Sequence, residues 1–342
     1  MKKNKTILVT GGLGYIGSHT VVELIENGFE VIIVDNLSNS EIFILDHINK
    51  ITGVKPKFYE FDLTENDKTE VFFKENKFDA IIHFAAFKSV SESVKYPLKY
   101  HNNNIKSLEN ILESMKVHEI RNIIFSSSCT VYGQPDKLPV NENAPFKKAE
   151  SPYAETKQIS EKIIENFTLD NNKFSAISLR YFNPVGAHPS SLIGELPKGI
   201  PENLVPFITQ TAIGKRDSLV VYGNDYDTHD GTAVRDYIHV QDLSNAHIAA
   251  LDRLLNFNNE IPYEYYNIGT GIGYSVMDVI KSFEKVNNLK LKYNISGRRE
   301  GDIEKIYSDV KLSKKKLSWS YKKSLDHMMS SAWKWQKRLN QK

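Results

Sequence analysis

Short apolar runs recur along the first half of the chain, separated by longer amphipathic stretches. The runs are TILVT (6–10), VIIVD (31–35), KFYEFDL (57–63), AIIHFA (80–85), NIIFSSS (122–128) and SAISLRY (175–181). Most are apolar throughout rather than alternating, the pattern of strands covered on both faces of a parallel sheet. Between them, Ile105, Leu108, Ile111, Leu112 and Met115 fall at helical spacing, as do Ile159, Ile163, Ile164 and Phe167. Strand and helix alternating in this way predict a doubly wound α/β fold with a parallel sheet. After Asn183 the texture changes. Pro and Gly are frequent in NPVGAHP, ELPKGIPENLVP, YGNDYD and HDG, which predicts a loop-rich second lobe of short elements. YYNIG (265–269) reads as one more strand, and the tail from about residue 274 alternates helix and strand patterns before a basic helix carrying Trp333 and Trp335.

Composition narrows the function. The chain has 342 residues, 40% hydrophobic and 25% charged, with a net charge of +2. That is an ordinary globular composition without the basic field a nucleic-acid partner would need. A lone cysteine, Cys129, excludes an internal disulfide framework. MKKNK followed by TILVT superficially resembles a signal peptide, but the apolar run stops at Gly11-Gly12. No run approaches the length of a membrane span, so a cytoplasmic location is expected. KLSKKKL (311–317) reads as a solvated face, no repeat is visible, and no metal-ligand set stands out.

TILVTGGLGYIGSH reads as strand, Gly-rich turn and helix, with Gly11, Gly14 and Gly17 in a GxxGxxG spacing. Side-chain-free positions let the backbone approach a pyrophosphate, and the following helix start supplies N–H donors. VIIVDN places Asp35 at the end of the second strand, where a carboxylate suits a ribose diol and repels a 2′-phosphate. This predicts NAD rather than NADP. Asp62, ending the third run, is a candidate adenine contact.

In SPYAETK (151–157), Ser151 suits an N-cap and Pro152 the first helical position, so Tyr153 and Lys157 share a helix face one turn apart. The preceding strand ends in Ser126, Ser127 and Ser128 at the edge where such sheets bind ligands. Serine, tyrosine and lysine would then meet beside the nicotinamide. The ammonium and the positive nicotinamide would lower the phenol pKa and make Tyr153 a general base, with Ser128 holding or relaying the substrate proton.

These motifs, together with IIHFAAFKSV, FSSSCTVYG, LRYFNPVGAHPS, GIPENLVPF, YGNDYDTHDGTAVRDYIHV and GRREGD, resemble the extended short-chain dehydrogenase/reductase family over nearly the full chain. The resemblance is close to the branch that interconverts UDP-glucose and UDP-galactose at C4 through a transient 4-keto sugar and NADH. It implies a Rossmann domain for NAD over residues 1–182, with a returning segment near 236–270, and a smaller mixed α/β substrate-binding domain over 183–342. It implies that Gly11, Gly14, Tyr15, Ile16 and Gly17 hold the pyrophosphate. Asp35, Asn36, Asn39 and Ser40 would bind the adenosine ribose, and Asp62 and Leu63 would flank the adenine. Phe84, Ala85, Ala86, Lys88, Asn103 and Phe182 would line the cofactor beside the catalytic Ser128, Tyr153 and Lys157. The UDP-sugar would be met by Lys88, Ser128, Tyr153, Asn183, Asn203 and Leu204, and by Tyr222, Arg235, Tyr237, Arg299, Asp302 and Ile306. The two arginines also suit a diphosphate on their chemistry alone.

Two positions depart from the family pattern: Ala86 stands where glycine is frequent, and Cys129 where a small residue is usual. Ile306, seven residues after Arg299, falls where the family sets tolerance for 2-acetamido sugars, and its size predicts weaker activity on the UDP-N-acetylhexosamines. Three other readings stay open: C4 epimerisation of UDP-glucuronate or UDP-pentoses, a non-catalytic NAD-binding regulator, and a 4,6-dehydratase. The last would need a carboxylate pair where this chain has Cys129-Thr130. The resemblance also implies a homodimer pairing helices near 97–116 and 153–170.

Overall fold

The computed structural model describes residues 5–170, 173–299 and 302–341. The basic start of MKKNK and the Glu-Gly pair inside GRREGD lie outside the described residues. In chain order the strands are β1 Thr6–Thr10, β2 Glu30–Asp35, β3 Lys57–Glu60, β4 Ala80–His83, β5 Asn122–Ser128, β6 Ser175–Tyr181, β7 Asn183–Val185, β8 Leu219–Tyr222, β9 Val234–His239, β10 Tyr263–Ile268, β11 Gly273–Ser275, β12 Tyr293–Ser296 and β13 Lys305–Ile306. The helices are α1 Tyr15–Glu26, α2 Phe43–Thr52, α3 Asn66–Glu75, α4 Val90–Lys95, α5 Pro97–Val117, α6 Pro152–Asp170, α7 Leu204–Ala212, α8 Val240–Leu255, α9 Val276–Asn287, α10 Lys311–Leu317 and α11 Leu325–Leu339.

Seven strands form one parallel sheet in the order β10-β6-β5-β4-β1-β2-β3. The apolar runs explain it, because helices cover both faces. Val21, Val22, Ile48 and Leu251 of α1, α2 and α8 pack on one face, and Phe72, Leu108, Ile111 and Ile164 of α3, α5 and α6 on the other. Two runs are shorter as strands than their apolar lengths predict. KFYEFDL stops at Glu60 and AIIHFA at His83, since the remaining residues turn out over the carboxyl edge of the sheet. β10 and α8 return from the second half of the chain to close the sheet edge.

A smaller second lobe contains a sheet in which β9 pairs with β7, β11 and β13, plus the pair β8–β12. Its core gathers Val205, Ile208, Phe283, Met329 and Trp333. Trp335 is also buried, and its indole nitrogen donates to the Glu195 carbonyl at 2.8 Å. The lobes are joined by several direct ties, among them the Tyr15 hydroxyl donating to the Gly186 carbonyl at 2.7 Å. No described helix is long and apolar enough to cross a membrane.

Candidate active site

The Gly-rich turn joins β1 to α1 at the carboxyl edge of the large sheet. Gly11 has φ +65°, a conformation that favours glycine, and a Cβ there would lie 2.8 Å from the Ala85 nitrogen. A Cβ on Gly17 would lie 2.2 Å from the Gly11 carbonyl oxygen, so that glycine lets helix and turn close on each other. Gly14 is the N-cap, and among the described residues no side chain caps α1 and no acidic residue occupies its first turn. The helix start is thus left to an anion, and the residues present fit a dinucleotide pyrophosphate.

Asp35 ends β2 as its position in the sequence predicts, but its carboxylate is largely engaged within the protein. Oδ2 accepts from the Leu13 amide at 3.1 Å, and Oδ1 from the Leu37 amide at 3.0 Å and the Ser40 hydroxyl at 2.7 Å. Asp35 and buried Ser40 therefore shape the turn from inside, and one of the carboxylate's roughly four acceptor sites is left for a ribose hydroxyl. Asn36 donates to Asp62 Oδ2 at 2.9 Å, joining the two loops expected around the adenosine. Burial raises the Asp62 pKa, but hydrogen bonds from Thr64 and Asn36 outweigh it, so this carboxyl titrates below its ordinary value. Asn39 is exposed, whereas Leu63 is buried under the third strand.

The strand-end and helix residues meet as the spacing predicts. Ser151 Oγ accepts from the Ala154 amide at 3.2 Å, which confirms it as the cap of α6. Lys157 Nζ lies 5.9 Å from the Tyr153 ring centroid and donates to the Ser126 carbonyl at 2.6 Å. The Ser128 side chain reaches the Tyr153 hydroxyl and accepts from the Thr130 amide at 3.2 Å. Burial pushes Tyr153 up to about 12, against the opposing pull of Ser128. The Lys157 ammonium is buried too, over the Phe125 ring at 4.8 Å, and desolvation lowers its pKa to about 7 against the charge of Glu161. Cys129 beside them is half-buried, and desolvation pushes its thiol up to about 12, so it is held as a packed thiol.

The remaining candidates fall into three groups. Phe84 and Ala85 follow β4, where the Ala85 amide donates to Thr10 Oγ1 at 3.3 Å; Ala86 comes next, half-buried. Asn103 donates to Asn104 at 2.9 Å, and Asn104 in turn holds the Phe87 amide and the Thr156 hydroxyl, binding α5 and α6 to that loop. On the small sheet, Asn183 is in register with Tyr237 and Ile306 with Arg235. Arg235 Nη1 donates to the Val234 carbonyl at 2.9 Å, and its charge works against the burial that raises the Cys129 thiol and the Tyr237 hydroxyl. In the third group, Arg299 pairs with Asp302 at 2.7 Å and lies 5.5 Å from the Tyr222 ring centroid. Leu204 opens α7 just after Asn203.

One candidate sits deeper than a pocket wall would. Ile306 is 3% exposed and packs with Val131, Tyr132, Val140 and Phe182. Cys129 packs against the same cluster, so Ile306 lies within packed side chains rather than on an open surface. The sequence reading also missed Glu195, whose carboxylate accepts from Asn203 at 2.7 Å and faces Lys88 at 3.5 Å. Nothing in ELPKGIPENL singles it out, because its partners come from another lobe and from the far end of its own loop.

Residues 7–269 match the NAD dependent epimerase/dehydratase family. The chain is 47% identical to a UDP-glucose 4-epimerase of Bacillus subtilis over 330 residues, covering 96% of each. It is also similar to the crystal structure of a UDP-glucose-4-epimerase from Stenotrophomonas maltophila with bound NAD and formylated UDP-arabinopyranose, with a TM-score of 0.95, 42% identity and 99% of both chains covered. A UDP-glucose 4-epimerase from Bifidobacterium longum in complex with NAD+ and UDP matches with a TM-score of 0.93, 44% identity and 98% of both chains.

Proposed function

The chain belongs to the NAD dependent epimerase/dehydratase family, and from that premise we propose that it interconverts UDP-glucose and UDP-galactose by inverting the sugar C4 through a transient 4-keto sugar, with NAD as its cofactor. One observation carries the reading. Ser128, Tyr153 and Lys157 converge at the carboxyl edge of the parallel sheet, on the same edge as an uncapped Gly-rich helix start. Residues 1–182 with the return near 236–270 form the cofactor half, and 183–342 the substrate half.

Bound there, NAD supplies a reversible two-electron acceptor for C4 and a positive charge. The Gly11–Gly17 turn takes the pyrophosphate, and Asp35 the ribose. Tyr153 would remove the 4-OH proton and, once the keto sugar has turned and C4 is reduced again on its other face, return that proton to O4, with Ser128 passing it on. Burial holds the Tyr153 hydroxyl protonated by itself, so the base is armed only when positive charge enters the site. Lys157 answers the phenolate charge as it forms, and regains its own proton affinity in doing so. Arg235 and Arg299, with Asn203 and Leu204, grip the UDP while the keto sugar turns over. That grip is what allows a loosely held sugar to present its other face without escaping.

The alternatives are less favoured. Ser128 is followed by Cys129 and Thr130, so the strand end lacks the carboxylates of a dehydratase, and an intact proton-transfer set argues against a purely regulatory role. We assign the protein to the cytoplasm and to a homodimer built on α5 and α6, which lie side by side on one sheet face and expose Leu98 and Leu169. Incubation with UDP-galactose, without added reductant, should yield UDP-glucose by NMR. Denatured protein should release NAD; release of NADP would contradict the role given to Asp35.

A further inference from the structure

Residues 195–203, the ELPKGIPEN segment of the second lobe, reach across to the large sheet at two points. Lys198 Nζ donates to the Leu37 and Ser38 carbonyls at 3.0 and 3.1 Å and lies 3.7 Å from Glu41, all in the chain that leaves β2. Four residues on, the Glu202 carboxylate accepts from the Ser89 hydroxyl at 2.7 Å and from the Ser91 hydroxyl, at the start of α4 beyond β4. The strand order β4-β1-β2 puts the Gly-rich turn, which follows β1, between these two moorings. Strands two places apart are separated by about 10 Å, and a five-residue extended segment reaches about 14 Å, so the segment can bridge the turn without strain.

Its other contacts make it a unit that can move. The Glu195–Asn203 hydrogen bond at 2.7 Å closes its ends on each other, and the Trp335 indole fixes its start. Between those ends Pro201 is buried, while Lys198, Gly199, Ile200 and Glu202 are exposed. A cavity of about 460 Å³ lies behind it, lined by Leu196, Pro197 and Gly199 on one side and Lys215 and Arg216 on the other. Lys198 and Glu41 are each more than two-fifths exposed, so this mooring is open to solvent and to screening by salt.

We propose that residues 195–203 are a latch over the dinucleotide cleft, fastened by Lys198 on the adenosine side and by Glu202 on the α4 side, and that unfastening it sets the rate at which the cofactor leaves. The latch rests on the reading of the Gly-rich turn as the NAD site. Neither residue contacts the reacting atoms, so chemistry on the loaded protein does not depend on them. Exposed ionic contacts are individually weak, and losing both moorings together speeds release by about tenfold.

The test is the rate of NAD release from loaded protein, with freed NAD trapped by excess alcohol dehydrogenase and ethanol and read as absorbance at the reduced cofactor band. The Lys198→Ala/Glu202→Ala double variant should release NAD about tenfold faster than wild type at low salt. Raising salt from about 0.05 M to about 0.5 M should speed wild-type release and leave the double variant unchanged. The wild-type salt response needs no substitution, so it stands even if the variant folds poorly. Protein that carries NAD but releases it at one rate in both forms and at both salt levels overturns the latch alone. Protein that binds no dinucleotide overturns the cofactor reading on which it rests.

Discussion

Burial keeps the Tyr153 phenol protonated and the Lys157 ammonium close to deprotonation. Both shifts oppose catalysis until opposite charges meet, and this makes a single atom decisive. Tyr153→Phe removes the proposed proton carrier and little else, so kcat should fall by about 10²- to 10⁴-fold while NAD remains bound and the unfolding midpoint holds. Activity within about threefold of wild type would remove Tyr153 from the role. Ile306 acts at the same scale by volume. It packs against Phe182 behind the strand end, so a glycine there opens space toward the site and a tyrosine closes it. The ratio of kcat/KM for UDP-N-acetylglucosamine to that for UDP-glucose should rise in Ile306→Gly and fall in Ile306→Tyr. An equal ratio in all three proteins would show that Ile306 only packs.

Helix α6 carries the proposed catalytic tyrosine and lysine, and one buried pair holds it in place. Tyr153, Lys157 and Glu161 follow at intervals of four residues along one face. Glu161 pairs with Arg180 of β6, with the closest approach at 2.6 Å, and also accepts from the Ser127 hydroxyl of β5. Arg180 further donates to the Tyr132 hydroxyl at 3.0 Å and the Glu142 carbonyl at 3.2 Å. Both charges are almost fully buried, so removing one leaves the other uncompensated. Glu161→Ala should cost about 3–5 kcal/mol in denaturant unfolding, with Glu161→Gln milder because its amide oxygen still accepts. A loss below about 1 kcal/mol for the alanine variant would mean that water reaches Arg180.

Across the whole molecule, neutral histidines are buried at several joints. His19 of α1 and His83 of β4 are lowered by burial to about 3, and His247 of α8 to about 4. Their folded pKa values lie below the unfolded value of about 6.5, so below that pH the unfolded chain takes up more protons. Their contribution to stability is whole above about pH 6.5 and is lost as pH falls toward the folded values, by up to about 1.4 kcal/mol per pH unit for each histidine. The Tm should therefore drop steadily from about pH 6.5 to about pH 4.5, with a shallower drop in His247→Gln. A flat Tm over that interval would show the rings to be solvated.

The sequence by itself determined the large sheet, its Gly-rich turn and the Ser151-capped helix, because these depend on local pattern: apolar runs, glycine spacing and a cap within four residues of the pair it positions. It also placed Tyr153 and Lys157 on one face, since helix geometry alone sets that distance. Only the tertiary structure decided the rest. Burial raises the Tyr153 pKa against the opposing pull of Ser128. The depth of Ile306 and the ties made by Lys198 and Glu202 all depend on residues more than 100 positions away. Solvation and long-range contact are properties of the folded whole, and no window of sequence contains both partners.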